Sequence, residues 1–152
     1  MSHNINITIK KITNADVERV CELEKEIFPD PWGMIGISES LQQDHTELLG
    51  AWHEDRLLGY VIAYFSIYEG EIARIAVAKD YRRKGIAGRL LAELEQICRK
   101  REAESILLDV RESNQSAIEF YKSHGFAVDG IRKNFYTKPA EDAILMSREV
   151  GK

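Results

Sequence analysis

Between Ile72 and Arg101 the apolar pattern changes period, and that change decides how the rest of the chain can be arranged. Ile72 to Ala78 reads as a strand. Gly85 to about Arg101 then repeats Ala87, Leu90, Leu91, Leu94, Ile97 and Cys98 on one face, the spacing of an amphipathic helix. A short, largely apolar strand follows at Ile106–Val110, suited to a sheet covered on both sides. Strand, glycine-rich turn, helix and strand in that order make a crossover unit, so the chain is a mixed α/β layer.

The flanking segments fit that frame. Ile5, Ile7 and Ile9 alternate with polar residues as in a half-buried strand. Thr13 and Asn14 offer N-caps, with Asp16 in the first turn of a helix that carries Val17, Val20, Cys21, Leu23 and Ile27 and runs to about Phe28. Pro29-Asp30-Pro31 breaks it, because proline lacks a donor and restricts the residue before it. A shorter helix is expected over Ile35 to Gln43. Strands at 46–53 and 57–67, joined by Glu54-Asp55-Arg56, form an antiparallel meander with the strand after Gly70. Ser116 to His124 reads as a helix closed by Gly125, and Phe126–Phe135 and Ala143–Arg148 as two last strands. With 152 residues and no repeat, low-complexity run or linker, the whole chain is expected to be one domain.

The charge balance narrows the partners. With 21 basic against 25 acidic residues, the net charge is −4. A nucleic-acid binder would show a basic excess or stripe. The one basic cluster, Arg82-Arg83-Lys84, is short and runs at once into glycines, which favours a small anionic ligand. Cys21 and Cys98 both sit within helical apolar patterns and read as buried cytosolic thiols. No CxxC or Cys/His cluster calls for a metal. Met1-Ser2-His3-Asn4 does not open a signal peptide, and the longest apolar stretch, around Leu57–Tyr64, is too short to span a bilayer. The expectation is a cytoplasmic protein without a membrane segment.

The turn itself has a chemistry. First-turn amides of a helix lack internal partners, and the aligned peptide dipoles favour an anion there. Gly85, Ala87 and Gly88 keep side chains out of the way of a pyrophosphate, and Arg83 and Lys84 add positive charge at the rim. The GxxxxGK[ST] and GxGxxG patterns are both absent. Taken alone, the segment favours an anion site, with glycines that merely start a helix as the alternative reading.

Arg82-Arg83-Lys84-Gly85-Ile86-Ala87 resembles the Arg/Gln-x-x-Gly-x-Gly/Ala motif of the GNAT acetyltransferases, in which backbone amides hold the pyrophosphate of CoA. Ile75-Ala76-Val77 is similar to the family strand that pairs with the pantetheine arm and polarises the acetyl carbonyl. Leu108 to Asn114 and Ala117 to Phe126 match the strand and helix that follow. Phe28-Pro29-Asp30-Pro31-Trp32, Val110-Arg111-Glu112-Ser113-Asn114, Arg132 to Tyr136 and Glu141 to Met146 resemble the RimI branch, the ribosomal-protein-alanine N-acetyltransferases. The resemblance covers about Ile7 to Met146. It implies the GNAT fold, with about seven strands flanked by about four helices. It also implies acetyl-CoA as cosubstrate, no metal, and a protein N-terminus as acceptor, most specifically the alanine of a small-subunit ribosomal protein. The cofactor would then lie on Ile75, Ala76, Val77, Arg82, Arg83, Lys84, Gly85, Ile86, Ala87, Gly88 and Asn114. Independently of the resemblance, a monomer is the default expectation, with a dimer through an exposed aromatic edge as the alternative.

Acetyl transfer needs a neutral amine, a stabilised oxyanion and a proton for the departing thiolate. An α-amine, with a reference pKa of roughly 7.7–8.0, manages with a weaker base than lysine at roughly 10.4. On residue type, Asp109 is either a satisfied structural carboxylate or a catalytic one; by resemblance it stands where the RimI branch has a proton-accepting glutamate. It is one methylene shorter, which calls for a bridging water. Tyr121, otherwise a core tyrosine, matches the residue that protonates the CoA sulfur. Asn114 caps its helix and, by resemblance, bonds CoA. The amides of Ile75 and Val77 would serve the carbonyl. His124 reads as a last-turn cation and His45 and His53 as solvent-facing. By resemblance, Trp32 and Tyr136 wall a narrow slot for an N-terminal Ala or Ser, although Trp32 could equally anchor its loop on the core. The chain departs from the family pattern around Asp30 and between Trp32 and Ile37, so substrate choice stays open. A GNAT enzyme for lysine, a polyamine or an antibiotic and a non-catalytic CoA sensor are the alternatives.

Overall fold

A computed structural model describes residues 6–151. Ile5 and the Met1–Asn4 reading therefore lie outside the described residues. The elements, in order, are β1 (Thr8–Lys11), α1 (Val17–Ile27), α2 (Met34–Leu41), β2 (Thr46–His53), β3 (Arg56–Phe65), β4 (Glu69–Val77), α3 (Ile86–Lys100), β5 (Ser105–Arg111), α4 (Gln115–Ser123), β6 (Ala127–Thr137) and β7 (Ala140–Glu149). The order is the one expected from hydrophobic period, with one refinement at the first helix. Thr13 closes a separate 3₁₀ turn over Asn14–Asp16, its amide donating to Asp16 Oδ2 at 2.9 Å, and α1 starts only after it.

All seven strands join one sheet in the order β1-β2-β3-β4-β5-β7-β6. Every pair is antiparallel except β4–β5, which the α3 crossover forces to run parallel. This is the GNAT arrangement that the motifs implied. Strand β3 shows why the sheet needs two covers. Leu58, Val61 and Ala63 face a core with Leu90, Leu91 and Leu94 of α3 and Ile118 and Tyr121 of α4, while Tyr60 and Ile62 face one with Val20 and Cys21 of α1 and Ile37 of α2. Both cysteines are free and buried, and burial pushes the Cys98 thiol up to about 11, with the Glu95 carboxylate adding to the effect.

Two irregularities prepare the functional region. The β3–β4 register slips between Ile62 and Ala63, which pair with Arg74 and Ile72 and leave Ala73 as a bulge. A bulge bends its strand and re-aims the side chains beside it. The parallel β4–β5 ladder runs from Glu69↔Ser105 to Ile72↔Leu108 and stops there, although β4 continues to Val77 and β5 to Arg111. Beyond the bulge the two central strands part.

Candidate active site

The parting exposes backbone. Ala78 donates its amide to Leu58 O at 2.7 Å, toward β3. Strand amides alternate in direction, so those of Ile75 and Val77 point the other way, into the gap that β5 leaves. On that edge the Val77 carbonyl accepts a bond from Arg82 Nε at 3.2 Å. Arg82 thus ties the turn back onto the strand.

The turn then enters α3 through two left-handed residues, Arg83 at φ 63° and Gly85 at φ 80°. The helical ladder opens with Arg89 donating to Gly85 O at 3.1 Å, which leaves the amides of Ile86, Ala87 and Gly88 without helical partners. The Ile86 side chain is buried in the core and pins this turn, and Arg83 and Lys84 are exposed beside it. A Cβ placed on Gly85 would meet no atom within 4 Å, so the space over the amides is open; one on Gly88 would lie 3.1 Å from His124 Nε2. Open amides, a helix N-terminus and two cations fit a pyrophosphate.

Across the gap, Leu108 and Val110 of β5 are buried against α3 and α4, and Asp109 between them faces the opposite side, half-buried. Its charge is felt by two neighbours. The Tyr136 phenol is raised above its ordinary value by burial first and then by Asp109, against the opposing pull of Arg111, whose guanidinium lies 4.3 Å from the Tyr136 ring centre. The Glu71 carboxyl is raised by burial and then by Asp109, with Arg132 opposing. Tyr121 is buried at 5% exposure, and burial, with Tyr136 adding to it, holds its phenol well above the usual range. Among the described residues no group hydrogen-bonds the Tyr121 hydroxyl. Asp109 and Tyr121 are therefore each within electrostatic reach of Tyr136. Asn114 caps α4, its Oδ1 accepting from Ala117 N at 3.2 Å.

Trp32 stands on the same side as Tyr136, with Arg74 between them. The Arg74 guanidinium lies 5.7 Å from the Trp32 ring centre, and its charge lowers the Tyr136 phenol against the larger effects of burial. Sequence reasoning missed Arg74, Glu71, Glu24 and Tyr60. Only Glu24 left a trace in the sequence, as a carboxylate on the apolar stripe of α1. A surface cavity of about 680 Å³ between α1 and the β2–β3 hairpin contains none of the predicted site residues. His53 Nδ1 lies 3.1 Å from Asn6 O and His124 Nδ1 2.9 Å from Phe120 O, so each ring is engaged by backbone. Among the described residues no helix is long and apolar enough to cross a membrane.

Residues 17–126 match the sequence profile of the acetyltransferase (GNAT) family. The chain belongs to that family. Acetyl-CoA is the cosubstrate of this GNAT enzyme, and the Gly85 turn and the free edge of β4 are the features that fit it. The N-alpha-acetyltransferase RimI of Mycobacterium tuberculosis is 33% identical over 95% of this chain and 94% of its own length. An uncharacterized Mycobacterium leprae protein is 35% identical over 96% of the chain, which spans only 42% of that relative. The crystal structure of the ribosomal-protein-S18-alanine N-acetyltransferase from Escherichia coli superposes with a TM-score of 0.88 at 28% identity, covering 97% of this chain and 96% of that one.

Replacing Gly85 by Val puts a branched side chain over the open amides at a positive φ that L-residues rarely adopt. The Gly85→Val GNAT variant should bind acetyl-CoA at least about tenfold more weakly by calorimetry while retaining its fold by circular dichroism. An unchanged Kd would remove the α3 turn from the cofactor site.

Proposed function

We propose that the enzyme transfers the acetyl group of acetyl-CoA to the α-amine of a protein N-terminus, with the alanine of a small-subunit ribosomal protein as acceptor. The observation that carries this reading is the gap beyond Ile72↔Leu108, which sets the unpaired edge of β4 opposite Asp109 on β5. The names of the Mycobacterium tuberculosis and Escherichia coli relatives support the α-amine and the ribosomal acceptor. The chain works as a single domain and a monomer in the cytoplasm, on a protein rather than on nucleic acid.

On this reading the thioester lies along Ile75-Ala76-Val77, and the turn from Arg82 to Gly88 holds the pyrophosphate, with Asn114 bonding CoA from the α4 cap. Glu71 and Asp109 make the acceptor side of the gap acidic, which draws an N-terminal ammonium. Asp109 takes its proton through a water, since its side chain is too short for direct contact. The amine nitrogen attacks the carbonyl carbon, and the β4 amides steady the oxyanion. Collapse breaks the carbon–sulfur bond, the CoA sulfur takes the Tyr121 proton, and the second proton that the new amide nitrogen gives up restores the Tyr121 phenol. Trp32 and Tyr136 wall the slot for the first acceptor residue. An α-amine suits a carboxylate base better than lysine does, because roughly a tenth of it is already neutral near pH 7.

Incubation with acetyl-CoA and an Ala-starting peptide from a small-subunit ribosomal protein should add one acetyl group at the α-nitrogen, read by tandem mass spectrometry. N-blocked lysine peptides and polyamines should remain unmodified. Acetylation of lysine in place of the α-amine would overturn the proposal.

The catalytic assignments make a pH prediction. Tyr121 acts in its protonated form, and burial raises its phenol, so the proton is kept to higher pH than in a free tyrosine. Turnover should rise as the amine deprotonates and stay level past the ordinary tyrosine value of roughly 10. Asp109→Asn should lower kcat/KM by about a hundredfold and Tyr121→Phe should lower kcat by at least that factor. Unchanged kcat in Tyr121→Phe, or a wild-type decline that begins below about pH 9, would exclude Tyr121 as the acid.

A further inference from the structure

We propose that the buried Glu24–Arg74 ion pair is a positioning device for the acceptor. It fixes the Phe28–Trp32 segment, one wall of the amine slot, to the strand that carries the thioester. The inference deepens the N-terminal acetylation reading and rests on it.

The segment cannot hold its own shape. Pro29 and Pro31 have no amide to donate, and α1 has ended with Phe28 N bonding Glu24 O at 2.9 Å. Its anchors come from outside. Glu24, fully buried, accepts the Trp32 amide on Oε1 at 2.8 Å, while its Oε2 takes the Tyr60 hydroxyl from the middle of β3. Burial first, and then that bond to Glu24, hold the Tyr60 proton on its oxygen. Arg74 gives Glu24 Oε1 two bonds, from Nη2 at 3.1 Å and Nε at 3.4 Å. The same Nη2 reaches the Asp30 carbonyl at 2.7 Å and its carboxylate at 3.5 Å. The guanidinium lies 3.9 Å from the Phe28 ring centre. One arginine thus touches Phe28, Asp30 and Trp32, and its carboxylate partner holds the Trp32 amide.

Arg74 reaches them because Ala73 bulges. The extra residue lets Arg74 pair with Ile62 and face the α1 side, one residue before Ile75. Any shift of the segment is therefore referred to the backbone that would bear the acetyl carbonyl. Stability alone does not account for the choice of residues, since a buried ion pair is generally no better for stability than well-packed apolar side chains of similar volume. A planar fork satisfied on two sides does fix direction.

The test uses the full chain with acetyl-CoA and an Ala-starting peptide. Lysine in Arg74→Lys keeps the charge but cannot bridge Glu24 and Asp30 as a fork. Its KM for peptide should rise about tenfold, with KM for acetyl-CoA within about twofold of wild type. The pair Glu24→Gln/Arg74→Met removes both charges, leaves none buried unpaired, and should show the same split. Hydrogen exchange at the Trp32 amide should accelerate about tenfold in both variants, and this readout needs no turnover. Unchanged peptide KM in both variants overturns the positioning role, and unchanged Trp32 exchange overturns the clamp itself. A wild type that leaves the peptide unmodified refutes the N-terminal reading and the acceptor role with it, while the exchange still decides the clamp.

Discussion

Two parallel strands that stop pairing in mid-sheet leave backbone groups that need other partners. Here the ladder between β4 and β5 ends at Ile72↔Leu108, and the amides of Ile75 and Val77 face an empty edge in the middle of an otherwise continuous sheet. Strand edges are normally confined to the periphery or covered. An internal one is a ready-made site for an extended ligand with alternating polar groups, and the pantetheine arm of acetyl-CoA is of that kind. The bulge at Ala73 bends β4 where the ladder ends, and the crossover helix α3 begins just beyond the far end of β4. The cleft and the free edge of β4 both follow from one interruption of pairing.

The two sides of that gap differ in charge. Arg83 and Lys84 lie at the turn into α3, whereas Glu71 and Asp109 lie on the side that faces α1, with Arg74, Arg111 and Arg132 spaced around them. That separation suits a reaction that joins a polyanionic donor to a cationic acceptor. It also explains why a net charge of −4 is no obstacle to binding CoA, since the basic residues needed are local.

Much of the fold was legible in the sequence because its elements are strongly periodic. The leucines of α3, the apolar run of β5 and Gly125 closing α4 each had one reading, and the element order followed. Asp109, Tyr121 and Asn114 were singled out through motif resemblance, and the Gly85 turn through its glycines and local charge as well; the structure sets Asp109 and Tyr121 each within electrostatic reach of Tyr136 and Asn114 at the α4 cap. Glu71 and Arg74 were not found. Both sit in a strand whose neighbour and register are invisible in one dimension, and the Ala73 bulge changes which face Arg74 occupies. Glu24 was overlooked for a different reason. Its place on the apolar stripe of α1 breaks the pattern, and only the fold shows the arginine and tyrosine that make its burial tolerable.

The free edge of β4 is most directly tested by following the amide resonances of the protein as acetyl-CoA is added. The account predicts that Ile75 and Val77, together with Ile86, Ala87 and Gly88, shift in parallel and become protected from solvent exchange at saturation. Saturable binding that leaves the Ile75 and Val77 amides unshifted and unprotected would contradict it, because the thioester would then lie somewhere other than the gap between β4 and β5.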